Sequence, residues 1–183
     1  MRAIARWLDK ASSIINSIAL WGAVLAVLTM VGAAGWQVIA RYVLDAPPIW
    51  TEELARRAMV WAGMLGASCA FRISVDPTLF PTMRLVPGRV GGVLTVIRSC
   101  GVILFAAPVI WYSIFDSRMN PARGFLGRSM NRTAEMLDVS MIWFTAAVPL
   151  AFAIIVLHVI ALTLMRLTGQ ADLEPAETTS TKA

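Results

Sequence analysis

The sequence predicts an all-α integral membrane protein of four transmembrane helices, with a short amphipathic interfacial helix in the third loop. Three observations lead there. Of the 183 residues, 58% are hydrophobic and only 15% charged, whereas a soluble domain carries about a quarter charged residues. The apolar residues gather into four runs instead of scattering along the chain. Those runs are also continuous, as in VLAVLTMVGAAGW and AFAIIVLHVIALTLM, unlike the alternating ~10-residue segments of a membrane barrel. The reading is one membrane domain over residues 1–168, with no soluble domain and no internal repeat.

A spanning helix needs ~20 apolar residues, because each rises ~1.5 Å against a hydrocarbon core of ~30 Å. The first span, about 14–40, meets this with residues to spare. It follows Arg2, Arg6 and Lys10, but a signal-peptide core is only ~7–15 residues long, so it is expected to remain as an anchor. The third span, about 90–115, and the fourth, about 141–165, are also long enough.

The second span, about 52–71, is marginal and opens with the charged stretch IWTEELARR, residues 49–57. Pro47-Pro48 stops any earlier helix, and Thr51 is positioned to cap a new one. Glu52 and Glu53 then fall in the first turn, where the helix dipole favours acids. Glu52–Arg56 and Glu53–Arg57 are both four apart with the acid first, the better order for helix pairs. Exposed pairs of this kind contribute only ~0.3–0.5 kcal/mol each. The apolar part, Ala58 to Phe71, is too short to span ~30 Å alone, so the charged turns must complete the length at the interface or against another protein. Ala55, Ala58, Ala62, Gly66 and Ala70 share one face, with Gly63 and Ala67 beside it. Such a small-residue stripe permits close helix approach in lipid, within the chain or with a partner.

Polar groups inside spans are costly and call for an account. Arg98 lies about nine residues into the third run. It suits a side chain snorkelling to the headgroups, with an ion-pair or substrate contact as the functional alternative. His158, the only histidine, suits a helix-packing hydrogen bond. One histidine cannot ligate a haem from both sides or build a metal site. Cys69 and Cys100 lie inside spans and read as small packing residues rather than a disulfide. No nucleophile–base set, metal-spaced cluster or phosphate loop is present in the sequence. The expectation is therefore no catalysis and no cofactor in this chain. The net charge of +5 speaks for lipid headgroups, not nucleic acid.

Between the spans, RISVDPTLFPTMRLVPGRV carries three prolines and cannot form a long helix. Its Leu79, Phe80, Met83 and Leu85 among arginines suggest a segment lying in the interface. In the third loop, Leu126, Met130, Ala134 and Leu137 fall at helical spacing opposite Arg128, Arg132 and Glu135. They predict the interfacial helix, whose arginines, with Arg123, could receive an acidic partner protein or lipid phosphate. Residues 169–183 lack apolar content and are expected to form a disordered cytoplasmic tail. Four spans place both termini on one side. Positive charges are almost balanced across the membrane, and the three before the first span favour termini in the cytoplasm. Trp36, Tyr42, Trp50, Trp111, Tyr112 and Trp143 would mark one interface and Trp7 the other, with Trp21 and Trp61 as packing residues.

The second span carries a resemblance. PIWTEELARRAMVWAGMLGASCAFR resembles the hallmark of the DctQ-like small membrane subunit of TRAP (tripartite ATP-independent periplasmic) transporters, through Trp50, Glu52, Glu53, Leu54, Ala55, Arg56, Gly66, Ala67 and Arg72. Trp143 and Pro149 resemble the family's fourth-helix pattern. The Arg-x-Gly-x-His-Ile found after the second helix in many members is replaced here by FRISVDP, so no role of that histidine transfers.

The resemblance implies a non-catalytic subunit of the bacterial or archaeal cytoplasmic membrane with both termini cytoplasmic. It would bind and enlarge the scaffold of a large permease subunit, which carries the Na+ and substrate sites. A periplasmic substrate-binding protein would deliver an organic acid. On this reading Trp50, Glu52, Glu53, Arg56, Arg57, Ala62, Gly66 and Ala70 are candidates for the permease interface. Arg123, Arg128 and Arg132 are candidates for docking the binding protein, and Trp7, Trp36, Trp111, Trp143 and Arg98 for lipid anchoring. A small subunit of a tricarboxylate-type uptake system shares this architecture, and a membrane redox anchor is the remoter alternative.

Overall fold

A computed structural model describes residues 2–73, 88–116 and 118–168. Helix α1 covers Arg2–Tyr42, α2 Trp50–Arg72 and α3 Gly88–Ile114. A 3-10 turn, Pro121–Arg123, precedes the short α4, Phe125–Met130, and then α5, Ile142–Thr145, and α6, Ala147–Leu167. The stretches Ala3–Tyr42, Val90–Ile114 and Ile142–Leu167 are long and apolar enough to cross a membrane. The chain is thus an all-α membrane protein. The segment around Leu79 to Leu85 and the 169–183 tail lie outside the described residues.

At ~1.5 Å per residue, the 41 residues of α1 reach ~60 Å. Its inward edge follows a seven-residue repeat. Ala5, Ser12, Ala19, Ala33 and Ala40 are buried, and Ala26 at the remaining repeat position is half-buried. A seven-residue period on a 3.6-residue helix gives the shallow crossing of antiparallel bundles, and small side chains let the partners come close. Opposite them, Ile18, Trp21, Leu25 and Leu28 are exposed. Trp21 therefore lies on the outer face and is not a packing residue.

Helix α2 runs back along α1, and α6 packs against both. The shared core joins Ala19, Ala23, Leu65 and Cys69, with Trp61 and Ile154 packed against it. At this crossing a Cβ added to Gly22 would stand 2.9 Å from Leu65 Cδ1, so the end of the Leu65 side chain would have to shift. Helix α3 packs mainly on α6, through Ser99 Oγ and Thr163 Oγ1 at 2.6 Å and Phe105 against Phe152. The body is therefore a triangle of α1, α2 and α6 with α3 on one side. Cys69 is buried as expected, but Cys100 is exposed and packs nothing into the core.

Two prolines shape the later helices. Pro108 lies inside α3, where its ring removes one ladder hydrogen bond. Pro149 falls in the first turn of α6, where a missing N–H is tolerated. It cannot bond the carbonyl four residues back, which accounts for the break between α5 and α6 at Ala146.

The third loop departs from expectation. Helix α4 ends at Met130, so Ala134 and Leu137 do not extend its apolar face. From Asn131 the chain turns into a miniature hairpin. Ala134 N–H donates to Val139 O at 2.8 Å, and Met141 N–H to Arg132 O at 2.8 Å. Asp138 takes the left-handed conformation, φ +49°, which aspartate tolerates in turns. Ser140 Oγ donates to Met130 O at 3.2 Å, covering a carbonyl that the ended helix leaves open. Upstream, Gly127 lets α4 press on the 3-10 turn, because a Cβ there would collide with the carbonyl oxygens of Pro121 and Ala122.

Candidate functional site

The two ends of α2 carry the polar constellations. Its first turn is not capped by Thr51. Ile49 is the N-cap residue, and no side chain caps the helix. Thr51 is fully buried and donates from Oγ1 back to Pro48 O at 2.8 Å. This ties the turn after Pro47-Pro48 to the helix and brings the two acids to the α1–α2 loop end of the bundle.

The acids then diverge. Glu53 is only 6% exposed. Its Oε1 accepts from Arg57 Nη2 at 3.0 Å, and its Oε2 from the Met136 backbone N–H at 2.8 Å. Both oxygens are thus engaged by donors, and bonds of this charge-assisted kind are about twice as strong as neutral ones. The guanidinium of Arg57 also lies 5.4 Å from the Phe144 ring centroid, a cation–π distance. One turn further, Trp61 Nε1 donates to Trp143 O at 2.9 Å. The first three turns of α2 are in this way fastened to the 131–144 segment. Glu52 and Arg56 form a looser pair, 3.6 Å apart with side chains 64% and 68% exposed.

Between α2 and the hairpin lies a groove of about 930 Å³. One wall presents Glu52, Arg56 and Val60, and the other Arg132, Glu135 and Met136. Arg123, Arg128 and Arg132 are all exposed at this end. So are Trp36, Trp50, Trp111 and Trp143, an aromatic group of the kind that gathers at a membrane interface. Trp7 is exposed at the opposite end of α1. Arg98 is half-buried on α3.

At its other end α2 finishes on Arg72, which reaches across to α1. Its Nη2 pairs with Asp9 Oδ1 at 3.0 Å, and its Nη1 donates to Ser12 Oγ at 2.5 Å. Ser12 Oγ lies 2.6 Å from His158 Nδ1 on α6. Besides accepting from Arg72, Ser12 Oγ can donate to His158 Nδ1 or accept from it, according to the ring tautomer. One serine thereby links all three core helices. His158 makes the packing hydrogen bond expected of it. Its Nε2 and the Oδ1 of Asn16 are buried without a hydrogen-bond partner among the described residues.

The predicted interface residues therefore separate. Trp50, Glu52 and Arg56 face outward, whereas Glu53 is buried and Arg57 half-buried against the hairpin. Ala62, Gly66 and Ala70 are half-buried, and a Cβ added at Gly66 would meet nothing within 4 Å. The sequence reading missed Asp9 and Ser12 altogether. The signal was the α1 seven-residue repeat, in which Ser12 is the one polar member among alanines.

The family model described as Tripartite ATP-independent periplasmic transporters, DctQ component, matches residues 30–169. No individual curated protein matches the chain. The match spans α2 and the hairpin held by Glu53, and on this extent the chain belongs to the DctQ component family of tripartite ATP-independent periplasmic transporters.

Proposed function

We propose that this chain is the non-catalytic small permease subunit of a TRAP transporter, binding the large permease subunit and enlarging its membrane scaffold. The complex would take up an organic acid, coupled to Na+ held in the large subunit and delivered by a periplasmic binding protein. The family match across residues 30–169 carries this reading. On it, α2 is the fourth span and both termini are cytoplasmic. The charged first turns of α2 would then stand at the periplasmic boundary and Arg72 at the cytoplasmic one.

Within this reading the α2 residues divide by role. Ala62, Gly66 and Ala70 form the edge on which a permease helix approaches closely, since small residues permit that contact in lipid. Trp50, Glu52 and Arg56 stand at its rim. Glu53 and Arg57 act from inside, by holding the hairpin that carries Arg132. Arg123, Arg128 and Arg132 form the basic surface for the binding protein.

Affinity purification of the tagged chain from its own membranes tests this. The expected result is recovery of the large permease at a fixed ratio and of the binding protein at low salt. Recovery of the chain alone, with native lipid retained, would overturn the reading.

A further inference from the structure

The groove between α2 and the 131–141 hairpin has a composition that a protein partner does not require. Four charged side chains line it beyond the internally engaged Glu53–Arg57 pair: Glu52 and Arg56 on α2, Arg132 and Glu135 on the hairpin. All four are exposed, two are acidic and two basic. A basic cluster would select an anionic headgroup. This balanced set instead matches a headgroup carrying one phosphate and one ammonium. Arginine serves the first through its planar fork of donors, and carboxylates serve the second.

The apolar side of the groove extends the match. Val60 and Met136 line the same groove, 39% and 47% exposed. Further along α2, Gly63 and Ala67 continue the exposed side, and nothing lies within 4 Å of a Cβ placed on Gly63. Trp50 on α2 and Trp143 beyond the hairpin are also exposed, and amphipathic rings of this kind mark the headgroup zone. The groove therefore joins charges of both signs to an apolar track along α2, the two chemistries that a phospholipid headgroup and acyl chain require. The volume of about 930 Å³ lies within the usual range of ligand sites, ~300–1,000 Å³.

We propose that this groove is a binding site for one zwitterionic phospholipid of the phosphatidylethanolamine type. Arg56 and Arg132 hold its phosphate, Glu52 and Glu135 its ammonium, and an acyl chain lies along Val60 towards Ala67. Its apolar track lies away from the Gly66 edge, whereas Glu52 and Arg56 also stand at the proposed permease rim and Arg132 on the proposed basic surface. Val60 and Gly66 are six residues apart, which at ~100° per residue sets them ~120° apart around α2. A lipid held here would take Glu52, Arg56 and Arg132 from the partner proteins, and the crosslink at Val60 distinguishes the two occupants.

Native mass spectrometry of the full chain, released from mixed phosphatidylethanolamine and phosphatidylglycerol micelles, tests it. One retained phosphatidylethanolamine is expected, enriched at least fivefold over phosphatidylglycerol. Glu52→Gln with Glu135→Gln should reverse the preference, because two arginines would remain. Val60→Trp, which fills the track without altering charge, should release the lipid. Equal retention of both lipids, or none, would overturn the proposal. Full displacement by soluble glycerophosphoethanolamine would also overturn it, as that would make the groove a headgroup site without a membrane lipid. In native membranes, a photocrosslinker at Val60 should give a lipid adduct, whereas an adduct with the large permease would make the groove a protein interface and overturn the proposal as well.

Discussion

Two ion pairs in α2 have the same spacing, the same order and adjacent positions, yet they do different work. Glu52–Arg56 stands 3.6 Å apart in the open, whereas Glu53–Arg57 is closed at 3.0 Å under the hairpin. A step of one residue turns a side chain ~100° around the helix, enough to take one pair out of the interior and leave its neighbour within it. The buried pair has gained a third partner, the Met136 N–H, and an aromatic face on Arg57. The exposed pair keeps only the few tenths of a kcal/mol that the i,i+4 geometry provides. Doubled charge at the start of α2 is thus two devices, one holding the chain to itself and one facing outward.

The largest effect should come from breaking the inner device. Glu53→Ala leaves Arg57 and the Met136 N–H without their acceptor, and a buried group stripped of its partner costs more than the bond itself contributed. We expect the lowest melting temperature of any α2 charge variant, with early unfolding confined to residues 131–141 in limited proteolysis. Gly127→Ala acts on the same loop through sterics. Overpacking against two carbonyl oxygens should cost ~1–3 kcal/mol, read from thermal unfolding in detergent.

At the opposite end of α2, Ser12→Ala removes the bonds to both Arg72 and His158. Interhelical hydrogen bonds in membranes average ~0.6 kcal/mol and reach ~1.7, so a loss of about 1–2 kcal/mol is expected, below that of Glu53→Ala. A smaller and more selective effect is expected at Gly66. Gly66→Ala should leave the isolated chain unchanged or more stable by up to ~1 kcal/mol, because the added methyl meets nothing. If the Gly66 edge receives the permease, the same change should reduce co-purification of the large subunit. The smallest effect belongs to Glu52→Gln, within ~0.5 kcal/mol in stability.

The same contrast shows what was legible in the sequence. Hydrophobic runs gave the long helices because lipid imposes a length and a composition on anything that crosses it. Both i,i+4 pairs were legible because they are local. Which of them turns inward was not, since that depends on a hairpin more than eighty residues away. The hairpin itself was misread as a helix over Ala134 and Leu137. Apolar spacing was counted there, while the turn chemistry of Asn131 and Asp138 went unweighed. Threonine is a common cap, but helix α2 starts two residues earlier than a Thr51 cap implies, and the hydroxyl serves the proline turn. Trp21 was assigned inward by its depth in the run, whereas its phase opposite the Ala19–Ala26 edge decides its side. Only α2 was read for small residues, although α1 carries the longer and more regular repeat.

The central claim is that Glu53, and not Glu52, holds the third loop onto α2. Hydrogen exchange at the Met136 amide, compared between Glu53→Ala and Glu52→Ala, tests it most directly. The amide is protected by a bond to Glu53 Oε2 at 2.8 Å. Replacing Glu53 should speed its exchange by roughly tenfold or more, as local opening becomes easier, while replacing Glu52 should leave it unchanged. Equal exchange in both variants, or protection that survives the loss of Glu53, would contradict the account.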